Sequence, residues 1–310
     1  MKKVLGGALF CGLLFSLTFT VISNEEASQT KGELISLPRI QKGSPGNLRV
    51  GFSEVKITPK IVDTWIDVDG DARYKRRKDK YIDGNGNGKF DPIYLAGFQQ
   101  GRPATGIHDD IWALTTVIDN GKTRIAICAI DSIGFFHNDL EDVRAKLKKE
   151  WKIDYLMVAA THNHGVPDLQ GIWGNLLKSG INKKYLQKVK DDIVSSVGLA
   201  VGNMAPSKME VRRITLRPKE YEDMIADTRL PEVYDPDLRV IRFVDPESDA
   251  TQGSIITWAN HPETLWSGNL EITSDYPGHL RRGLSQGILY DGKSYRSGIG
   301  GTHLFIVAAL

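Results

Sequence analysis

The chain has 310 residues, a formal net charge of +2, 41% hydrophobic residues and 25% charged residues. That length suits one large domain or two small ones, and the composition is that of a folded globular protein rather than a disordered or fibrous one. The near-neutral charge gives no case for nucleic acid: lysines and arginines are scattered, and the densest run, Lys75-Arg76-Arg77-Lys78, is flanked by Asp71 and Asp79 and reads as a solvated loop.

In chain order, Lys2-Lys3 is followed by an uncharged apolar run from Val4 to Ile22. A basic start followed by an apolar run marks a secretory signal peptide. Val21 and Ser23 suit a cleavage site, so residues 1–23 are expected to be removed, with the mature chain starting near Asn24. The run is also long enough to serve as an uncleaved anchor. Cys11 does not signal lipoprotein processing, because Phe10 stands where a small residue is required. The expected location is extracytoplasmic, either secreted or periplasmic. Cys128 is then the single cysteine of the mature chain and can form no internal disulfide; inside "RIAICAI" it reads as a buried small hydrophobe. Residues 24–46, polar and carrying Gly43, Pro45 and Gly46, read as a linker to a domain spanning 47–310.

That domain opens on "NLRVGFSEVKITP", an extended segment ended by Pro59. From about 60 to 105 the sequence has neither helical nor strand periodicity and is rich in Asp, Gly and Asn; loops that long inside a domain are usually functional or disordered. "HDDIWALTTVID" and "KTRIAICAID" flank Asn120-Gly121, a hairpin signal. "LEDVRAKLKKEW" has helical spacing with Asn138 or Asp139 as N-cap, and "DYLMVAAT" is a buried strand. Strand, helix, strand over 124–161 is a parallel crossover unit. A helix at 183–202 follows, then strands at 208–216, 238–244 and 253–260, a helix starting in "YPGHLRRGLSQGI" and a strand in "HLFIVAAL". The expectation is an α/β fold: a mixed β-sheet flanked by helices, with a metal site at the C-terminal ends of strands.

Two stretches carry metal-ligand chemistry. "DGNGNGKFD" places Asp83, Asn85 and Asn87 at alternate positions, Gly88 at the sixth place and Asp91 at the ninth, as in the first nine positions of a calcium loop. Calcium takes six to eight oxygens, and alternation lets one turn converge on the ion. Lys89 would contribute its backbone carbonyl. Tyr94 stands where the bidentate glutamate would be, so further ligands must come from elsewhere; Asp67, Asp69 and Asp71 are candidates. Calcium here is expected to order a loop with little core of its own, over about 67–91.

The second stretch is "YLMVAATHNHGVPD". His162 and His164 follow a strand directly, where open α/β sheets bind ligands. Asp131 ends the neighbouring parallel strand, His261 ends another in "IITWANHPETL", and His108 precedes the strand at 110–118, whose start falls at the same rim if it runs antiparallel. Zinc is the natural ion for such imidazoles, with one position left open for a water. His137, His279 and His303 receive no metal role.

With these residues in view the chain resembles a known family. "LRVGFSEVKITP", "LAGFQQGRPATGIHDDIWALTTVID", "ATHNHGVPD", "NHPETL" and "SDYPGH" occur in one order. Together they resemble the N-terminal catalytic domain of the neutral/alkaline ceramidases, from about Leu48 onward, as a divergent bacterial branch to which the calcium-type loop is an addition. The resemblance implies a zinc amidase that cleaves the N-acyl bond of ceramide or a related N-acyl lipid. It implies His162 and His261 as zinc ligands and His164 as an active-site helper near the substrate or its oxyanion. A substrate-contacting arginine is also implied, among Arg212, Arg213 and Arg229, with Arg229 preferred; His108 joins it as substrate-binding. The family's remaining zinc ligands, a glutamate and a tyrosine, are expected beyond Leu310, as is an immunoglobulin-like domain, so the chain reads as C-terminally truncated.

Glu263 departs from the family pattern and can be read as a ligand, a general base or a partner orienting His261, the last being favoured. Asp131 and Glu263 thus join His164 as expected catalytic residues. The partner is a lipid substrate, reached through peripheral contact with a membrane surface. Two other functions compete. A calcium-stabilised extracytoplasmic binding module would explain the acidic loop without catalysis. A metal-dependent hydrolase of another ester, such as a phosphoester, would use the same rim, although no second-metal cluster is evident.

Overall fold

A computed structural model describes residues 47–175, 178–217, 225, 227, 230–290 and 293–307. The signal peptide, the linker and Arg229 lie outside the described residues. Strand β1 (Arg49–Lys56) leads into the long irregular segment, which holds only the short pair β2 (Thr64–Ile66) and β3 (Lys80–Ile82). After β4 (Gly106–Ile107) come β5 (Trp112–Asp119) and β6 (Arg124–Ile130), antiparallel as expected. The hairpin falls at Asn120-Gly121 as expected, but residues 120–123 form the loop, because Asp119 pairs with Arg124. The Asn120 side chain accepts the N–H groups of Lys122 and Thr123 at 2.9 and 2.8 Å, and Gly121 takes φ +83.

Helix α1 (His137–Ala145) starts earlier and stops earlier than its hydrophobic spacing predicts. Its N-cap is Phe136 with no side-chain cap, so neither Asn138 nor Asp139 serves. The chain tightens into a 3-10 turn at Lys149–Trp151, and Lys152 ends it in the left-handed region. Strand β7 (Tyr155–Ala160) then pairs parallel with β6, with Ile130 opposite Ala160. This is the crossover unit read from the sequence.

Helix α2 (Lys183–Gly202) is capped by Asn182, whose side chain accepts the Tyr185 N–H at 3.1 Å. It buries Tyr185, Val189, Ile193, Val197 and Ala200, a three-to-four-residue stripe, against Ala113, Val117, Ala126 and Cys128. Full burial of one such Val or Ile contributes about 1.5–3 kcal/mol. The fit demands Gly51, because a Cβ there would stand 1.9 Å from the Ala200 carbonyl oxygen.

The remaining elements build a second sheet, where the sequence reading supplied only one. After β8 (Ala205–Pro206), strands β9 (Lys208–Thr215), β10 (Asp237–Val244) and β11 (Thr251–Trp258) form an antiparallel run. Next come β12 (Glu271–Ile272), helix α3 (Asp275–Gln286), the hairpin of β13 (Gly287–Tyr290) with β14 (Lys293–Ser297), and β15 (Thr302–Val307), which pairs parallel with β11. The orders are β7-β6-β5-β1-β8 and β15-β11-β10-β9.

The two sheets meet through Val50, Phe52, Leu114 and Ala129 on one side and Phe243, Ile255 and Leu304 on the other. On the far face of the second sheet, α3 packs Tyr276, Leu280 and Leu284 against Ile256, Trp258 and Phe305. The fold is therefore α/β with mixed sheets flanked by helices, layered helix, sheet, sheet, helix. Among the described residues no helix is long and apolar enough to cross a membrane.

Candidate metal centre

His162 and His164 lie just past β7, and His261 lies just past β11, so each sheet delivers imidazoles from the C-terminal end of a strand. Backbone pairing continues beyond the strand ends: Thr161 N–H donates to Ile130 O at 2.9 Å and Asn163 N–H to Ser132 O at 3.2 Å. His162 takes φ +56, in the left-handed region that non-glycine residues seldom adopt. The two loops are stitched together where His164 N–H donates to Pro262 O at 3.2 Å. Asn163 Nδ2 donates to Thr273 O at 2.6 Å, and Thr273 N–H donates back to Gly165 O at 2.9 Å.

The result is a close group of three rings. His162 stacks on His261 with centroids 4.6 Å apart, and His164 meets His261 edge-on at 4.5 Å. One ring nitrogen from each lies within 4.8 Å of the others, an arrangement that could hold a metal ion. His162 Nδ1 is 2.7 Å from the Ile133 carbonyl oxygen. A carbonyl can only accept, so Nδ1 carries the proton and Nε2 presents its lone pair, as ligating histidines do.

Neither ring nitrogen of buried His164 has a hydrogen-bond partner. Unpaired polar atoms in a protein interior are costly, and such a vacancy fits a metal or a reacting group. Burial pushes the His164 imidazole down to about 3 and, with His261 beside it, also lowers that of His162. Both rings are thus neutral, the form that binds metal. The sequence reading separated His164 from the ligand pair; the structure brings all three together.

Glu263 reaches both halves of the group. Its two oxygens lie 3.4 Å from His164 Nδ1 and 3.4 Å from His261 Nδ1, so it stands between two imidazoles rather than behind His261 alone. Beyond it, Phe98 contacts His164 at 4.8 Å between centroids and Trp266 at 5.3 Å. Trp266 is 59% exposed and neighbours exposed Leu265, which gives the centre an apolar rim.

Asp131 sits at the expected strand end, where Arg281 holds both of its oxygens at 2.9 and 2.7 Å. Trp112 N–H adds a bond at 2.9 Å and the Thr161 hydroxyl one at 3.3 Å. A buried carboxylate so fully engaged ties the strand end to α3. His108 is half exposed and pairs with Asp109 at 2.8 Å rather than with the other histidines.

Sequence reasoning missed Arg102, which is fully buried. Its guanidinium donates to the carbonyls of Ala96 at 2.6 Å and Asn269 at 3.1 Å, to that of His164, and packs on Phe98 at 5.0 Å. Burial without a facing carboxylate lowers it to about 10. It also missed Gly97, where a Cβ would stand 2.4 Å from His164 Cγ. The "GFQQGR" segment lay in view, but nothing local said that it would wrap the second histidine.

The acidic segment is built differently. Asp83 accepts backbone N–H groups from Asn85, Gly86, Asn87 and Gly88 at 2.7–3.3 Å, which lowers its pKa. The Asn85 and Asn87 amides donate to Asp91 at 3.4 and 2.7 Å. The carboxylates that converge are Asp67, Asp69 and Asp71, with oxygens within 4.8 Å. Lys75 and Lys78 each reach Asp69 at 2.9 Å, and Lys75 also binds Asp71.

Fold and site together define an α/β protein with a three-histidine group at its strand ends. The family model described as "Neutral/alkaline non-lysosomal ceramidase, N-terminal" matches residues 87–284, and the chain belongs to that family. A comparison with curated protein sequences found no significant match. Two solved structures share the fold, a ceramidase complexed with C2 and the neutral ceramidase from Pseudomonas aeruginosa. Each has a TM-score of 0.59 and 21% identity over 84% of this chain. The chain spans 37% and 38% of their lengths.

Proposed function

We propose that this chain carries the metal-binding part of a secreted zinc-dependent amidohydrolase that cleaves the N-acyl bond of ceramide or a related N-acyl lipid. The observation that carries the reading is the convergence of His162, His164 and His261, with the His162 lone pair fixed inward and both ring nitrogens of buried His164 unpartnered. His162 and His261 would hold the zinc, one from each sheet. Zinc in such a site polarises a carbonyl and brings the pKa of a water near neutrality.

His164 would donate an N–H hydrogen bond to the amide oxygen as charge develops there. Glu263 would orient His261 by holding its Nδ1–H group, leaving Nε2 of that ring directed away from it. The exposed edge formed by Phe98, Trp266 and Leu265 favours a substrate with an apolar chain over a phosphoester. Export rests on the apolar N-terminal segment. Calcium is proposed for the acidic segment, on Asp67, Asp69 and Asp71.

The test is metal analysis together with hydrolysis of N-acyl lipids, carried out on the chain joined to any segment that follows it in the full protein. His162→Ala should abolish stoichiometric zinc. His164→Ala should keep zinc and lose about 100–1,000-fold in turnover, the scale of one oxyanion donor. Full zinc retained by His162→Ala would sink the assignment, and calcium without zinc in the wild type would favour a binding module.

A further inference from the structure

Helix α3 touches both halves of the histidine group without contributing a residue to it. At its start, buried Asp275 accepts the Thr264 N–H at 2.9 Å and the Thr264 hydroxyl at 2.7 Å. The next residue, Tyr276, donates its hydroxyl to the Asn260 carbonyl at 2.5 Å. Thr264 and Asn260 bracket His261 and Glu263, so the loop is gripped on both sides. Further along the same helix, Arg281 holds Asp131 through two bonds. Asp131 in turn holds Thr161, the residue before His162. Asp275, Tyr276, Arg281, Asp131 and Thr161 are all less than a tenth exposed.

A helix is stiff along its length, whereas each loop by itself is not. The separation of the His162 loop from the His261 loop is therefore referred to one rigid body. Asp275 adopts φ +51, a conformation that non-glycine residues seldom take, and the same carboxylate accepts the Tyr276 N–H at 2.6 Å. Neither Asp275 nor Arg281 faces the imidazoles in any hydrogen bond. Their contacts are with the residues that carry the imidazoles.

We infer that α3 is the positioning device of the centre: Asp275, Tyr276 and the Arg281–Asp131 pair fix how far apart the two sheets present His162 and His261, and so set zinc affinity. This rests on the reading of the histidine group as a zinc site. Tyr276→Phe and Thr264→Val each remove one gripping bond while keeping the size of the side chain. Zinc affinity would be measured with zinc ion alone, by competition with a chelator, beside the melting temperature of the metal-free chain.

Each variant is expected to bind zinc about 10-fold more weakly, the lower end of what loss of an outer-shell contact costs a metal site. Cobalt substituted for zinc should show an altered visible band, a signature that lowered stability alone does not move. Arg281→Lys, which keeps the charge but not the two-pronged geometry, should weaken zinc at least as much if it folds. Variants that melt a few degrees lower yet bind zinc and cobalt as the wild type does would overturn the inference and leave the zinc reading intact. A wild type that takes up no zinc would end both.

Discussion

The histidine group and the acidic segment both collect metal-ligand side chains, yet they treat their donors in opposite ways. At the acidic segment the protein satisfies its own oxygens: lysines neutralise Asp69 and Asp71, and four backbone N–H groups saturate Asp83. At the histidine group the donors are held back from the protein. His162 spends Nδ1 on a carbonyl and keeps Nε2, and His164 spends neither nitrogen. The difference teaches that residue type and spacing identify a candidate site, while the state of the lone pairs separates one awaiting a ligand from one already closed. An exposed acidic loop can close on itself cheaply because water screens the charges and the side chains are mobile. A buried imidazole cannot, so leaving it unpaired is informative.

The largest effect that sharpens this contrast is expected at Arg102. Three carbonyls, including that of His164, depend on its guanidinium, and it is completely buried. Arg102→Met leaves those acceptors unpaired and should cost about 3–5 kcal/mol, at about 1–3 kcal/mol for each buried acceptor less what relaxation recovers. Urea unfolding of the metal-free chain measures it. A loss below about 1 kcal/mol would mean that water reaches the carbonyls and that the His164 loop is less dry than its burial indicates.

Gly97→Ala is expected to act on chemistry more than on stability. The added methyl would fall 2.4 Å from His164 Cγ, and φ at this position is +105, so the ring must move. A displacement near 1 Å at a reacting group costs about 100-fold in turnover. The steady-state rate on an N-acyl lipid should drop by about that much, with zinc content unchanged. Loss of zinc instead would make His164 a ligand, a more radical version of the same contrast.

Much of the architecture was legible in the sequence, because short-range chemistry decides it. The Asn120-Gly121 hairpin, the Asn182-capped helix and the β6–α1–β7 unit each follow from local residues. The place of His162 beyond a strand was equally readable. What could not be read depends on contacts across long stretches of chain. The second sheet closes through the parallel pairing of β11 with β15, and Arg281 reaches back to Asp131. That one ion pair ties Asp131, expected as a catalytic residue, to a helix far along the chain. Arg102 gave no local sign either, because its partners are carbonyls of distant loops.

A histidine outside the site tests the argument from lone pairs with the same side chain. His303 is buried, but Ser254 Oγ lies 2.8 Å from Nδ1 and the Gly300 carbonyl 2.9 Å from Nε2. Burial pushes it down to about 4, against an ordinary 6.5. Between about 6.5 and 4 the unfolded chain binds a proton that the folded chain does not, so stability is complete above 6.5 and falls as the pH drops through that window. Melting of the metal-free protein should therefore fall with acid, and His303→Gln should flatten the slope without touching zinc uptake. An unchanged slope would assign the acid sensitivity to other groups.

The smallest effect is expected at the acidic segment. Asp69 is held well below the usual carboxylate range by hydrogen bonds from Lys78 and Lys75, but all three side chains are solvent-accessible. Pairs of this kind contribute little to stability, so Asp69→Asn should barely move the melting temperature when calcium is absent. Calcium changes the balance. Its two charges would compete with two ammonium groups for the oxygens of Asp67, Asp69 and Asp71, and binding to the folded chain alone must raise its stability with concentration. Millimolar calcium should therefore raise the wild-type melting temperature by a few degrees and the Asp69→Asn chain by less. If calcium lifts neither, the lysines have closed this segment as completely as Arg281 closes Asp131, and the histidine group is the one open metal centre among the described residues.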